Sequence, residues 1–171
     1  MKNPFRKTYS PAEKEIFAFL GKVKFFKHLN FEEMSRFLPA IHQRKYVQDE
    51  VVFFRNDPSQ ALYILEKGGV TLNIDIRTDF ETIIKIKEGE PFGENSLLEN
   101  SKRIYTAIVD TEEAVLWVIP NYAIIDIFHS NQKIKAKMMS SLATFYDGRN
   151  QQLFSSYKKS YGFFNLGQMF E

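Results

Sequence analysis

The sequence contains no cysteine. That excludes a disulfide framework, a thiolate zinc or iron–sulfur site and a cysteine nucleophile. Histidine is scarce: His28, His42 and His129 stand far apart, without metal-ligand spacing, and none follows His42 in the strand-rich region. A metal site is therefore not expected. No apolar run approaches the roughly 20 residues of a membrane span; the longest clear one is Ala114 to Ile119. The N-terminal MKNPFRKTYSPAEKE lacks the apolar stretch of a signal peptide. The expected location is the cytoplasm, with no membrane contact. There is no serine nucleophile elbow, no Walker-type loop and no pair of carboxylates on one strand, so nothing makes the case for an enzyme.

What is present is aromatic and unevenly charged. Phe occurs 17 times and Tyr 8 times among 171 residues. This length supports one core with a helical appendage, not two full domains. Residues 1–50 carry 10 Lys and Arg against 6 Asp and Glu. Residues 51–130 carry 7 against 13, and residues 131–171 carry 6 against 2. The basic ends are not dense clusters, so they read as solvated helix faces before they read as a nucleic-acid footprint.

Ser10-Pro11-Ala12-Glu13 predicts a capped helix start, followed by an apolar face of Ile16, Phe17 and Leu20 that Phe25, Phe26 and Leu29 continue. Asn30 predicts a second helix with Glu32 and Glu33 in its first turn and Met34, Phe37, Leu38 and Ile41 on its apolar face. After His42 the pattern changes to short β-rich runs at Val51–Phe54, Ala61–Leu65, Val70–Ile76, Thr82–Ile86, Tyr105–Val109 and Ala114–Ile119. Turn signals separate them, which predicts an antiparallel barrel or roll. Asn121 is expected to cap a helix through Ile125 and Phe128. A longer one follows Ser130-Asn131, carrying Ile134, Met138, Leu142 and Phe145 on one face, with Gly148 as its end or weak point. The organisation is then a helical segment at 1–41, a β-roll at 42–120 and C-terminal helices with an aromatic tail at 121–171, all one structural domain.

The segment Pro91-Phe92-Gly93-Glu94-Asn95-Ser96-Leu97-Leu98 interrupts the strands, and Arg103 follows Glu94 by nine positions. A glycine before a helical turn exposes backbone N–H groups that favour an anion. A guanidinium makes bidentate contact with phosphate, and a carboxylate accepts from a sugar hydroxyl. The set suits a ligand carrying both a phosphate and a ribose. Its bland counterpart is a structural Glu94–Arg103 ion pair bracing an empty loop.

This segment resembles the phosphate-binding cassette of the cyclic-nucleotide-binding domain family, which includes catabolite activator proteins and kinase regulatory subunits. The resemblance extends upstream through Asp49–Ser59, the Leu62-Tyr63-Ile64-Leu65 strand and the Gly69-Val70 turn, and covers about residues 15–147. It implies a mainly β fold: an antiparallel β-roll, jelly-roll-like, with an N-terminal helix pair and a long C-terminal helix. It implies a cassette at about 91–104, with Phe92 opening it. Glu94 would bind the ribose 2′-hydroxyl and Arg103 the cyclic phosphate. Backbone N–H groups around Asn95 and Ser96 would reach phosphate oxygens, with Gly93 allowing close approach. Tyr146 or Arg149 would cover the base. No cofactor is implied; the ligand would be a cyclic nucleotide, cAMP favoured over cGMP.

Ile104 and Tyr105 stand where the family has small residues after the arginine, and Lys102 where proline is common. Asp49 and Asn56 stand where the family has glycines; asparagine tolerates positive φ more easily than aspartate. The alternative is a degenerate roll in which Ile104 and Tyr105 fill the pocket and the chain serves as an interaction or oligomerisation scaffold. The resemblance favours a homodimer through the C-terminal helix, and signalling to an unidentified protein partner. Only 26 residues run from Tyr146 to Glu171, too few for the DNA-reading domain of the catabolite activator type. The aromatic tail is expected to fold back on the N-terminal helices.

Overall fold

A computed structural model of the chain describes residues 8–76 and 79–161. Helix α1, Pro11–Leu20, begins with the expected capping box: the Ser10 hydroxyl accepts from Glu13 N–H and the Glu13 carboxylate accepts from Ser10 N–H. The apolar face does not continue as helix. Residues 21–28 form turns, and Phe25 and Phe26 are fully buried from there. Helix α2 is only Phe31–Ser35, opened by a second capping box between Asn30 and Glu33. It is shorter than expected: Arg36 and Phe37 bond three residues back, to Glu33 and Met34, and Pro39 has no N–H to bond to the Ser35 carbonyl; Phe37 still packs into the core from a turn.

Eight strands follow: β1 His42–Val47, β2 Val51–Phe53, β3 Ala61–Lys67, β4 Val70–Ile76, β5 Asp79–Ile86, β6 Pro91–Phe92, β7 Thr106–Val109 and β8 Glu113–Pro120. They form two antiparallel four-stranded sheets, ordered β1-β8-β3-β6 and β2-β7-β4-β5. The mainly β roll with flanking helices is thus as expected. Strands β1 and β6 were not. β1, HQRKYV, buries only Tyr46 and pairs along its whole length with β8. The expected left-handed positions are real: Asp49 has φ 64° and Asn56 φ 69°.

Helix α3, Asn121–Ser130, starts from Pro120 rather than from an Asn121 cap. Helix α4, Gln132–Tyr161, starts with Asn131 Oδ1 accepting from the N–H groups of Lys133 and Ile134. It runs through Gly148 without a break. Ile134, Met138, Leu142 and Phe145 are buried in one cluster with Phe17, Phe25, Phe26 and Phe128, so this stripe is a seam within the chain. The second cluster fills the roll, from Tyr46 and Tyr63 to Phe92 and Val109. No helix among the described residues is long and apolar enough to cross a membrane. The expected fold-back of the tail concerns residues 162–171, outside the described residues; Tyr157 to Tyr161 belong to α4.

Candidate functional site

Between β6 and β7 the chain makes one short 3-10 turn, Glu94–Leu97. Gly93 enters it at φ 71°, a left-handed value where a Cβ would also run into the Arg103 guanidinium. The cassette is therefore built around a glycine that is required twice, by backbone and by space.

Arg103 is 2% exposed. Its Nη1 donates to the Gly93 carbonyl at 2.9 Å and its Nη2 to the Ala61 carbonyl at 2.6 Å. The guanidinium carbon lies 4.0 Å from the centre of the Phe53 ring and 5.6 Å from that of Tyr63. Nε has no partner. Burial lowers its pKa, partly offset by Tyr63, Glu94 and Asp57. The backbone of Arg103 is pinned as well: its N–H donates to the Asp57 carbonyl and its carbonyl accepts from Asn56 N–H. The left-handed Asn56 turn thus holds the arginine in place.

Glu94 is 8% exposed and forms no ion pair among the described residues. Burial pushes its carboxyl above the ordinary range, opposed by its own backbone N–H and by the charges of Arg149 and Arg103. The structural ion pair between Glu94 and Arg103 is absent. What exists instead is a buried guanidinium with a free donor beside a buried carboxylate with acceptor capacity to spare. Such a pair is costly unless something completes it.

The other sequence-predicted residues divide. The Ser96 N–H is already used, on the Gly93 carbonyl at 3.1 Å. The Ser96 hydroxyl is fully buried with no partner and does not cap the turn. Asn95 holds the cassette closed, its carbonyl accepting from the Ser101 hydroxyl at 2.5 Å. Phe92 stacks on Tyr63 with centroids 5.3 Å apart. Ile104 is 49% exposed, whereas Tyr105 packs partly buried against the roll core. Lys102 is exposed and bridges Pro58 by backbone. Tyr146 is half-buried, its hydroxyl pKa pushed up to about 12 by burial, then by the charge of Glu94. The charge of Arg149 lowers the Glu94 carboxyl and the charge of Glu94 raises the Tyr146 hydroxyl, so both α4 residues are within electrostatic reach of Glu94.

Sequence reasoning missed three supports. The Ala61 carbonyl has no sequence signal. Phe53 carries one, since it lies on the β-rich run Val51–Phe54 within the upstream Asp49–Ser59 segment of the resemblance. Asn121 does not cap α3; its Nδ2 donates to the Ser96 carbonyl at 2.6 Å and ties the cassette to that helix.

The family model described as "Cyclic nucleotide-binding domain" matches residues 43–131. The chain is 30% identical over 94 residues to a cAMP-dependent protein kinase regulatory subunit of Candida albicans, covering 55% of this chain and 19% of that protein. It is 34% identical over 89 residues to the Cyclic AMP receptor protein of Thermus thermophilus, covering 50% of this chain and 41% of that protein. The chain thus spans less than half the length of these two curated relatives. The sensor domain of the transcriptional regulator DNR from Pseudomonas aeruginosa shares the fold, with TM-score 0.68 at 17% identity, covering 83% of this chain and 95% of that one.

Proposed function

Because this chain belongs to the cyclic nucleotide-binding domain family, we propose that it is a regulatory module whose cassette takes a cyclic mononucleotide, cAMP in preference to cGMP. The phosphate binds at Arg103, whose Nε is a buried donor without a partner. Glu94 accepts the ribose 2′-hydroxyl. Tyr146 and Arg149, carried by α4, cover the base. The chain acts by binding and not by catalysis, in the cytoplasm, and passes its state to a partner protein.

The observation that carries this reading is the buried Arg103 charge with no counter-anion, next to a buried, unpaired Glu94. A phosphate supplies the missing anion and a sugar hydroxyl the missing donor. Asn121 supplies the relay. A cassette drawn toward phosphate pulls the Ser96 carbonyl and with it the start of α3. Binding shifts the protein only by its differential affinity for the two states. Isothermal calorimetry with cAMP and cGMP tests it: saturable binding, lost in Arg103→Ala and weakened in Glu94→Gln, is expected. No heat with either nucleotide at high protein concentration overturns it.

One observation favours a second reading, the scaffold without ligand. Arg103 is already held by two carbonyls and two aromatic rings. If nucleotide leaves no trace in calorimetry, that internal satisfaction is the reason, and the roll serves as an interaction or homodimerisation platform.

A further inference from the structure

We propose that a second anion site lies between the 22–28 turn and α4, built for a small di- or polyphosphate. It shares Arg149 with the nucleotide reading, and the lysine and Gly148 variants below test it apart from the cassette. A cavity of about 300 Å³ opens there, at the small end of the range for ligand pockets. Lys24, Lys27 and His28 line it from the turn; Thr144, Arg149 and Gln152 line it from α4. No acidic residue lines it.

The basic groups are crowded, and only Arg149 has a carboxylate, Glu94, within electrostatic reach. Lys24 Nζ lies 5.4 Å and the Arg149 guanidinium carbon 4.9 Å from the centre of the same Phe145 ring. Two cations share one aromatic ring. Among the described residues, none of Lys24, Lys27, His28 and Arg149 forms an ion pair. Their mutual repulsion is relieved by an anion placed among them. One planar guanidinium and two ammonium groups suit several phosphate oxygens at once.

Gly148 is the independent observation. Glycine inside a helix costs about 1 kcal/mol against alanine, and here neither backbone nor packing requires it. A Cβ at this position would meet no atom within 4 Å. The glycine keeps the cavity wall low. The basic groups surround a hollow rather than forming a stripe, which favours a small molecule over a nucleic acid.

The test uses the full chain with inorganic pyrophosphate in one arm and a sugar bisphosphate in another, each against sodium chloride at matched ionic strength. Calorimetry should show saturable binding that a Lys24→Gln/Lys27→Gln double variant weakens at least about tenfold, for two lost charge-assisted contacts. Gly148→Leu fills the hollow, so it should abolish binding while leaving the Tm in chloride equal or higher, leucine being the better helix former. Response to one arm alone supports the site and identifies the source of the phosphate. No saturable response in either arm, or an undiminished response in the double lysine variant, overturns the proposal. Should Gly148→Leu fold poorly, the lysine variant decides.

Discussion

Glu33 and Glu94 expose nearly the same small fraction, 7% and 8%, but the Glu94 carboxyl lies much deeper beneath surrounding atoms, and the two carboxyls shift in opposite directions. For Glu33, burial alone would raise the pKa. Lys137 Nζ at 2.6 Å and 2.8 Å from its two oxygens, the Asn30 N–H and the charge of Lys133 together outweigh that and lower it. Glu94 has no such partner, so burial wins and its pKa rises. Low exposure therefore does not imply one purpose: a shallow, paired carboxylate and a deep, unpaired one behave differently. The Glu33–Lys137 pair is a closed clasp joining α2 to α4. The cassette is left unfinished, with donor and acceptor both held ready.

The comparison breaks most sharply at Arg103. Arg103→Ala should cost about a hundredfold or more in nucleotide affinity by calorimetry, since it removes a buried charged donor. If affinity barely moves, the cassette is not the site. Glu94→Gln should cost about tenfold, the difference between an ionised and a neutral acceptor. The same carboxyl sets a pH dependence. Between the ordinary carboxylate value and its raised folded value, Glu94 takes up a proton on acidification, so nucleotide affinity should fall as pH drops through that window. Glu94→Gln should flatten this fall.

The clasp should behave the other way. Glu33→Gln is expected to lower stability by about 1–2 kcal/mol near neutrality, below the full cost of breaking a deeply buried pair because Lys137 is 28% exposed at its side chain. The lowered pKa means that this stability is present above the ordinary carboxylate value and lost as pH falls through the folded one. Urea titrations at neutral and acid pH measure it, and equal losses at both would show that the ion pair contributes nothing. Glu94 has the opposite sign: its buried carboxyl favours the neutral form, so its ionisation costs the fold stability as pH rises through the raised value. The smallest effect is Gly148→Ala, expected to raise stability by up to about 1 kcal/mol, readable as a rise in Tm.

The roll was legible in the sequence because its strands announce themselves. β4 coincides with the expected Val70–Ile76, and the other expected runs differ from the strands mainly at their ends. β1 escaped because five of its six side chains face solvent, leaving Tyr46 as the only apolar inward residue. α2 was overdrawn because apolar spacing at Phe37, Leu38 and Ile41 outlasts the helix, which ends at Ser35. Within the cassette, residue types pointed to Gly93, Glu94 and Arg103, which the fold brings together. They could not indicate that Arg103 rests on the Ala61 carbonyl, because any residue there has one. Likewise Lys24 and Arg149 are distant in sequence and meet only through Phe145.

Helix α4 is 30 residues long, about 45 Å at the usual rise. Its first half is wedged into the core by Ile134, Met138, Leu142 and Phe145, while residues 150–160 are exposed throughout. The helix is a lever whose fulcrum lies near its middle. A tilt of ten degrees there swings the far end by about 4 Å, a displacement large enough for another molecule to sense.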